Sequence, residues 1–150
     1  MKITGEIAVN APRDKVFDAL CDARFFASCI EGVGDLTPLA DDRYEATLET
    51  KVAYIRLKFK VVVEMTRIDR PQEIEGRVEG VPIGIVGRLA ATSLTRLVEE
   101  GETTRIQYEI DASLTGKLGA LGAPVMKSKA KEMEKEFASR LSTAFATATP

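Results

Sequence analysis

The stretch Thr115–Ala146, TGKLGALGAPVMKSKAKEMEKEFASRLSTAFA, decides how the chain is read. Leu118, Leu121, Val125, Met126, Ala130, Met133, Phe137, Leu141 and Phe145 recur at steps of mostly three or four. That is the spacing of one helix face. Lys127, Lys129, Lys131, Glu132, Glu134, Lys135 and Glu136 stand between them and read as a solvated face of alternating charge. At 1.5 Å per residue the helix is on the order of 45 Å long. A helix of that length needs a broad apolar surface to lie across, and the residues before it read as a sheet.

Ile3, Gly5, Ile7 and Val9 alternate with Lys2, Thr4, Glu6 and Ala8, a first strand with one buried face. Asn10-Ala11-Pro12 stops it, and Pro12 suits a helix start. Val16, Phe17 and Leu20 then share a face over Arg13–Cys21, and a second short helix is expected over Ala23–Cys29. Gly32 and Gly34 mark its exit.

Two long alternating runs follow. Tyr44, Ala46, Leu48, Thr50 and Val52 face one way, and Ile55, Leu57, Phe59, Val61, Val63 and Met65 continue that face after a tight turn near Ala53-Tyr54. The turn predicts a hairpin that sets Leu48 against Phe59, Ala46 against Val61, Glu49 against Lys58 and Arg43 against Glu64. Further strands are read over Ile74–Gly80, Leu89–Val98 and Ile106–Leu114. Val81–Val86, broken by Pro82 and Gly84, is read as a bulge or loop. Gly116, Gly119 and Gly122 loosen the start of the long helix, either as a hinge for a ligand or for close packing, and Pro124 permits a kink or a late start. Thr147–Pro150 reads as a frayed tail.

The expected fold class is α+β: a first strand, two short helices, about six further antiparallel strands and one long closing helix. A sheet of that size curves, and one helix cannot fill its concave face. Gly5, Ala46, Gly76, Gly80, Ala91 and Ala112 are small residues at inward positions, and no tryptophan is present to plug the space. An apolar cavity is therefore expected, and such cavities are default ligand sites.

Composition narrows the function. The 150 residues read as one domain, 1–150, and 45% of them are apolar. Twenty-one basic residues nearly balance 23 acidic ones, so no nucleic-acid footprint is present. The chain has no histidine, which removes the commonest general base and zinc ligand. No carboxylate pair stands out, since the acidic residues fall on outward positions. Cys21 and Cys29 lack metal spacing and read as free thiols in a reducing, cytoplasmic compartment. No secretory leader or membrane span is seen. No cofactor or metal is expected.

Local wording adds a resemblance. The layout resembles the helix-grip fold of the START/Bet v 1-like superfamily, also called SRPBCC, over nearly the whole chain. Val16-Phe17-Asp18-Ala19-Leu20-Cys21-Asp22, then Cys29-Ile30-Glu31-Gly32, resembles the CoxG family, named for the G subunit of carbon monoxide dehydrogenase. Glu31 stands where that family typically has proline in a Cys-Ile-Pro-Gly element. Gly116-Lys117-Leu118-Gly119-Ala120-Leu121-Gly122 resembles its Gly-Lys-Leu-x-x-Leu-Gly element, and Ala130–Leu141 continues the likeness. The resemblance implies a curved seven-stranded antiparallel sheet and a non-catalytic accessory protein. It also implies a molybdenum-containing dehydrogenase as partner, with roles in membrane recruitment and in carrying a quinone. Many members have a long C-terminal extension for membrane contact. This sequence stops at Pro150, which leaves the carrier role as the expectation.

The expected ligand is a hydrophobic small molecule, a quinone or lipid, held by Leu48, Val52, Leu57, Phe59, Val61, Ile83, Ile85, Leu121, Val125, Met126 and Met133. Phe25, Phe26 and Ile30, with the VPIGIV segment, would form the mouth and could touch a membrane peripherally or a partner. The bland alternative is ordinary core. Tyr44, Tyr54 and Tyr108 could donate to a ligand carbonyl or to an internal partner. A docking factor without ligand and a small cyclase or hydratase are the other readings, and monomer or homodimer is left open.

Overall fold

In the computed structural model of the chain, which describes residues 1–148, seven antiparallel strands form one sheet in the order β1-β7-β6-β5-β4-β3-β2. The strands are β1 (Lys2–Val9), β2 (Val33–Ala40), β3 (Arg43–Val52), β4 (Ile55–Asp69), β5 (Glu73–Pro82), β6 (Gly87–Glu100) and β7 (Thr103–Gly116). The helices are α1 (Arg13–Cys21), α2 (Ala23–Ser28) and α3 (Ala123–Ala148), with a 3-10 turn at Gly119–Leu121. The expected hairpin register is the one observed: Leu48 opposes Phe59, Ala46 opposes Val61, Glu49 opposes Lys58 and Arg43 opposes Glu64. Charge pairing on the outer face agrees, with Lys58 3.4 Å from Glu49 and Lys60 3.0 Å from Glu45.

Four local expectations need correction. The closing helix does not begin at Thr115: Thr115 and Gly116 still pair with Arg88 and Gly87 in the sheet, and α3 starts at Ala123. Gly122, at φ 86°, takes a positive-φ conformation open to glycine that ends the 3-10 turn, and Pro124 then sits in the first helical turn, where a missing N–H is tolerated. The second correction is β2, a strand that the sequence pattern does not reveal. As an edge strand it admits Pro38, and two register shifts break its alternation. Third, Ile55, expected to face in, lies exposed at the hairpin tip. Fourth, α3 runs on through Ala148, and the remainder of the frayed tail expected over 147–150 lies outside the described residues. VPIGIV divides as its proline and glycine suggest, with Val81 and Pro82 ending β5 and 83–86 forming a loop.

The core is two clusters under α3. The first gathers Ile7, Val9, Val16, Phe17, Cys29, Ile74, Leu97, Ile106 and Leu141, with Phe25, Phe137 and Phe145 against it. The second gathers Ala46, Val52, Leu57, Phe59, Val61 and Leu118, with Leu48, Ile85, Leu121, Val125 and Met126 against it. Arg70, in the β4–β5 turn, lies 5.5 Å from the Phe17 ring centroid and pairs with Asp18, fastening α1 to the sheet. Asp22 caps α2 by accepting from the Arg24 and Phe25 N–H groups at 3.0 and 3.3 Å.

Beside the first cluster the Tyr108 hydroxyl donates to Glu134 Oε1 at 2.6 Å. Glu134 therefore faces the sheet, not solvent as its place in the charged run suggests. Gly5, on β1, leaves the room: a methyl there would overlap both the Tyr108 hydroxyl and the Glu134 carboxylate. Gly5→Ala is expected to break this bond and cost about 1–3 kcal/mol of stability, read from urea unfolding.

Candidate functional site

A cleft of about 950 Å³ opens between three pieces of the fold: the connection after α2 (Cys29–Gly32), the adjoining ends of β3 and β4, and the first half of α3. The connection is pinned where the Glu49 N–H donates to the Gly32 carbonyl at 2.9 Å. This backbone approach leaves no room for a Cβ at Gly32, which sits at φ 88°. Ile30, Leu57, Val125 and Met133 supply the apolar wall. Glu31, Glu49, Glu132 and Glu136 face Lys51, Arg56, Lys58 and Lys129 around it. The result is an open cleft of mixed lining, in place of the purely apolar cavity expected.

The structure divides the expected site residues. Ile30, Leu57, Val125 and Met133 meet in the cleft. Leu48, Val52, Phe59, Val61, Ile85, Leu121 and Met126 lie in the second cluster, as does Leu57, behind the cleft wall. Phe25 meets Phe145 edge-on at 6.0 Å and Phe26 meets Phe137 at 5.3 Å, so both fasten α2 to the far half of α3. Ile83 stands exposed on the β5–β6 loop.

The polar lining is absent from the sequence expectation. Charged residues that alternate along a strand or helix read as solvated when each element is taken alone, but three elements converge here. One signal is visible in the sequence: Glu31 stands where the resembled family has proline. Glu136 holds its carboxyl above the ordinary range because it is desolvated and shares a hydrogen bond with Glu31, with Arg140, 3.0 Å away, opposing the shift. Arg140 also donates to the Ser28 carbonyl at 3.2 Å, tying α3 to the end of α2. Cys29 lines the cleft but is 2% exposed, and burial pushes its thiol up, which leaves it a poor nucleophile. Both cysteines are free thiols. Among the described residues no group of three or more acidic or cysteine side chains could hold a metal ion.

Tyr108 is raised above the usual tyrosine range, first by burial and then by its bond to Glu134. A raised folded-state value favours the protonated form, so its contribution is fully present below the unfolded value of about 10 and is lost as pH climbs toward the folded one. Stability is therefore expected to hold from pH 7 to about 10 and to fall above it. In Tyr108→Phe that alkaline decline should be shallower in denaturant melts taken at successive pH values.

A family model for CoxG, the G subunit of carbon monoxide dehydrogenase, matches residues 5–146. No curated protein matches the chain. Among solved structures, a conserved protein from Geobacillus kaustophilus superposes with a TM-score of 0.90 at 24% identity, covering 99% of this chain and 97% of that one. A START superfamily protein from Mycobacterium smegmatis gives 0.72 at 14% identity, covering 99% of each chain. Ara h 8.0201 gives 0.71 at 12% identity, covering 98% of each. These structures share the fold, a curved sheet gripping a C-terminal helix.

Proposed function

Because the chain belongs to the CoxG family of carbon monoxide dehydrogenase G subunits, we propose that it is a non-catalytic accessory protein that holds a lipophilic ligand, a quinone or lipid, in the cleft. In this reading it serves a molybdenum-containing dehydrogenase of the carbon monoxide type, in the cytoplasm. The observation that carries the reading is the cleft itself. Its volume of about 950 Å³ lies at the upper end of ordinary ligand sites. Ile30, Leu57, Val125 and Met133 offer an apolar tail a wall, and the charged rim offers its polar head donors and acceptors. No helix among the described residues is long and apolar enough to cross a membrane.

A short-tailed quinone added in excess is expected to raise the melting temperature in step with its concentration, because a ligand that binds only the folded state stabilises it by RT ln(1 + [L]/Kd). An unchanged melting temperature at saturating quinone, repeated with a phospholipid, would contradict the reading.

Two observations favour other readings. The charged rim would suit a docking factor whose cleft receives a segment of the dehydrogenase. The raised Glu136 carboxyl beside Glu31 is the kind of group an acid/base enzyme uses. Glu136→Gln separates the last case: a carrier keeps its ligand uptake, whereas an enzyme loses turnover.

A further inference from the structure

One cation is set inside the apolar stripe that α3 turns to the cleft. Val125, Lys129 and Met133 stand four residues apart, so they share a helix face, and all three line the cleft. The Lys129 side chain is 14% exposed, whereas Lys2, Lys58 and Lys60 are 49–62% exposed. Its ammonium has one charged neighbour among the described residues, Glu132 at 3.7 Å, which is longer than a hydrogen bond. Glu132 itself is 70% exposed. An ammonium has three donors, and Lys129 makes no hydrogen bond among the described residues. A largely covered cation with unused donors is costly, and core packing alone would place a leucine at this point of the stripe.

The other charges of the cleft are arranged unevenly. Lys51 and Arg56 oppose each other directly across the β3–β4 hairpin, an unfavourable juxtaposition of like charges. Both line the cleft, and neither forms an ion pair among the described residues. Glu49 is matched by Lys58 at 3.4 Å. Glu136 hydrogen-bonds Glu31, which requires a shared proton and leaves the two with less negative charge than two free carboxylates. Seven residues, about 10 Å of helix, separate Glu136 from Lys129. Lys51, Arg56 and Lys129 are thus left under-matched.

We infer that the ligand of this cleft carries an anionic head, a carboxylate or phosphate, on an apolar tail, and that Lys129 selects it. The Lys129 ammonium donates to the anionic oxygens, and Lys51 and Arg56 add positive charge at the rim. The tail lies along Leu57, Val125 and Met133. A quinone fits the same wall but offers Lys129 a neutral carbonyl, so it binds more weakly. The inference rests on the cleft being a lipophilic-ligand site and names the head that such a ligand carries.

Calorimetric titration of the full chain compares four probes: decanoate, decyl phosphate, decanol and a decyl-tailed quinone. At least one anionic probe is expected to bind about tenfold or more tighter than decanol, and the tighter of the two identifies the head as carboxylate or phosphate. Lys129→Met keeps an unbranched stem and removes the charge. It should abolish that preference, with decanol affinity and urea unfolding unchanged. Lys51→Gln with Arg56→Gln, both at exposed positions, should reduce the preference about threefold. Lys131→Met, exposed and outside the cleft, is the control and should leave all four affinities unchanged. Decanol and the quinone binding as tightly as both anions would overturn the inference and leave the lipophilic-carrier reading in place. So would an undiminished preference in a folded Lys129→Met, or an equal loss of decanoate and decanol binding there, which would mark Lys129 as packing alone. Binding of none of the four would overturn the carrier reading and this inference together.

Discussion

Met133→Trp is expected to abolish ligand uptake while the protein stays folded. Met133 lies on the face of α3 that looks into the cleft, is half-buried, and lines the cleft together with Leu57 and Val125. An indole there occupies the volume an apolar tail would need. A packed core resists added volume at a cost of about 1–3 kcal/mol, but an open cleft accepts it, so stability should change by less than about 1 kcal/mol. Affinity should fall at least about tenfold, equivalent to roughly 1.4 kcal/mol. Leu57→Trp is a harsher version, because Leu57 is also part of the second cluster and only 6% exposed. Binding is read by titration with a short-tailed quinone and folding by urea denaturation. Full uptake by a folded Met133→Trp would mean the ligand lies elsewhere.

Phe17→Ala should show the reverse pattern. Its ring is fully buried in the first cluster, with Arg70 against one face. Truncation removes the transfer energy of a phenyl ring, leaves a cavity and abolishes the cation–π contact. Together these should cost about 3–5 kcal/mol. That is a large part of the stability of a domain this size, so the melting temperature should drop by on the order of 10 °C. Phe17 does not line the cleft, so the fraction that remains folded should bind ligand with unchanged affinity. An affinity loss as large as that of Met133→Trp would show that the two clusters are not separable.

The residues make much of this legible. Strict alternation on both faces of Tyr44–Met65 leaves only registers of the right parity, and the paired charges Glu49–Lys58 and Arg43–Glu64 favour the observed one. Pro12 and the Val16-Phe17-Leu20 face bound α1 correctly at Arg13–Cys21. The strand β2 is hidden because an edge strand satisfies only one side of its ladder and tolerates Pro38 and bulges that erase the pattern. Thr115 and Gly116 read as helix because the apolar spacing around Leu118 fits both a helix and a strand followed by a tight turn. Only pairing with β6 decides between them.

The site is harder to read than the fold. Periodicity identifies which face of an element is apolar, not which apolar residues meet an empty space. Leu57, Val125 and Met133 reach the cleft, while Phe59, Val61 and Leu121, equally apolar and on the same faces, pack behind it. Glu134 shows the same limit in polar form. In sequence it belongs to a solvated run, yet Gly5 on a distant strand makes room for it to meet Tyr108.

The central claim, that the cleft carries a lipophilic ligand, is tested most directly by native mass spectrometry. The purified protein is mixed with a membrane lipid extract and any bound mass identified. A stoichiometric quinone or other prenylated adduct on the unmodified protein, absent from Met133→Trp, is the predicted result. No adduct on either protein, with a molybdenum-containing dehydrogenase recovered by the same preparation in a pull-down, would contradict the carrier account and establish a docking factor in its place.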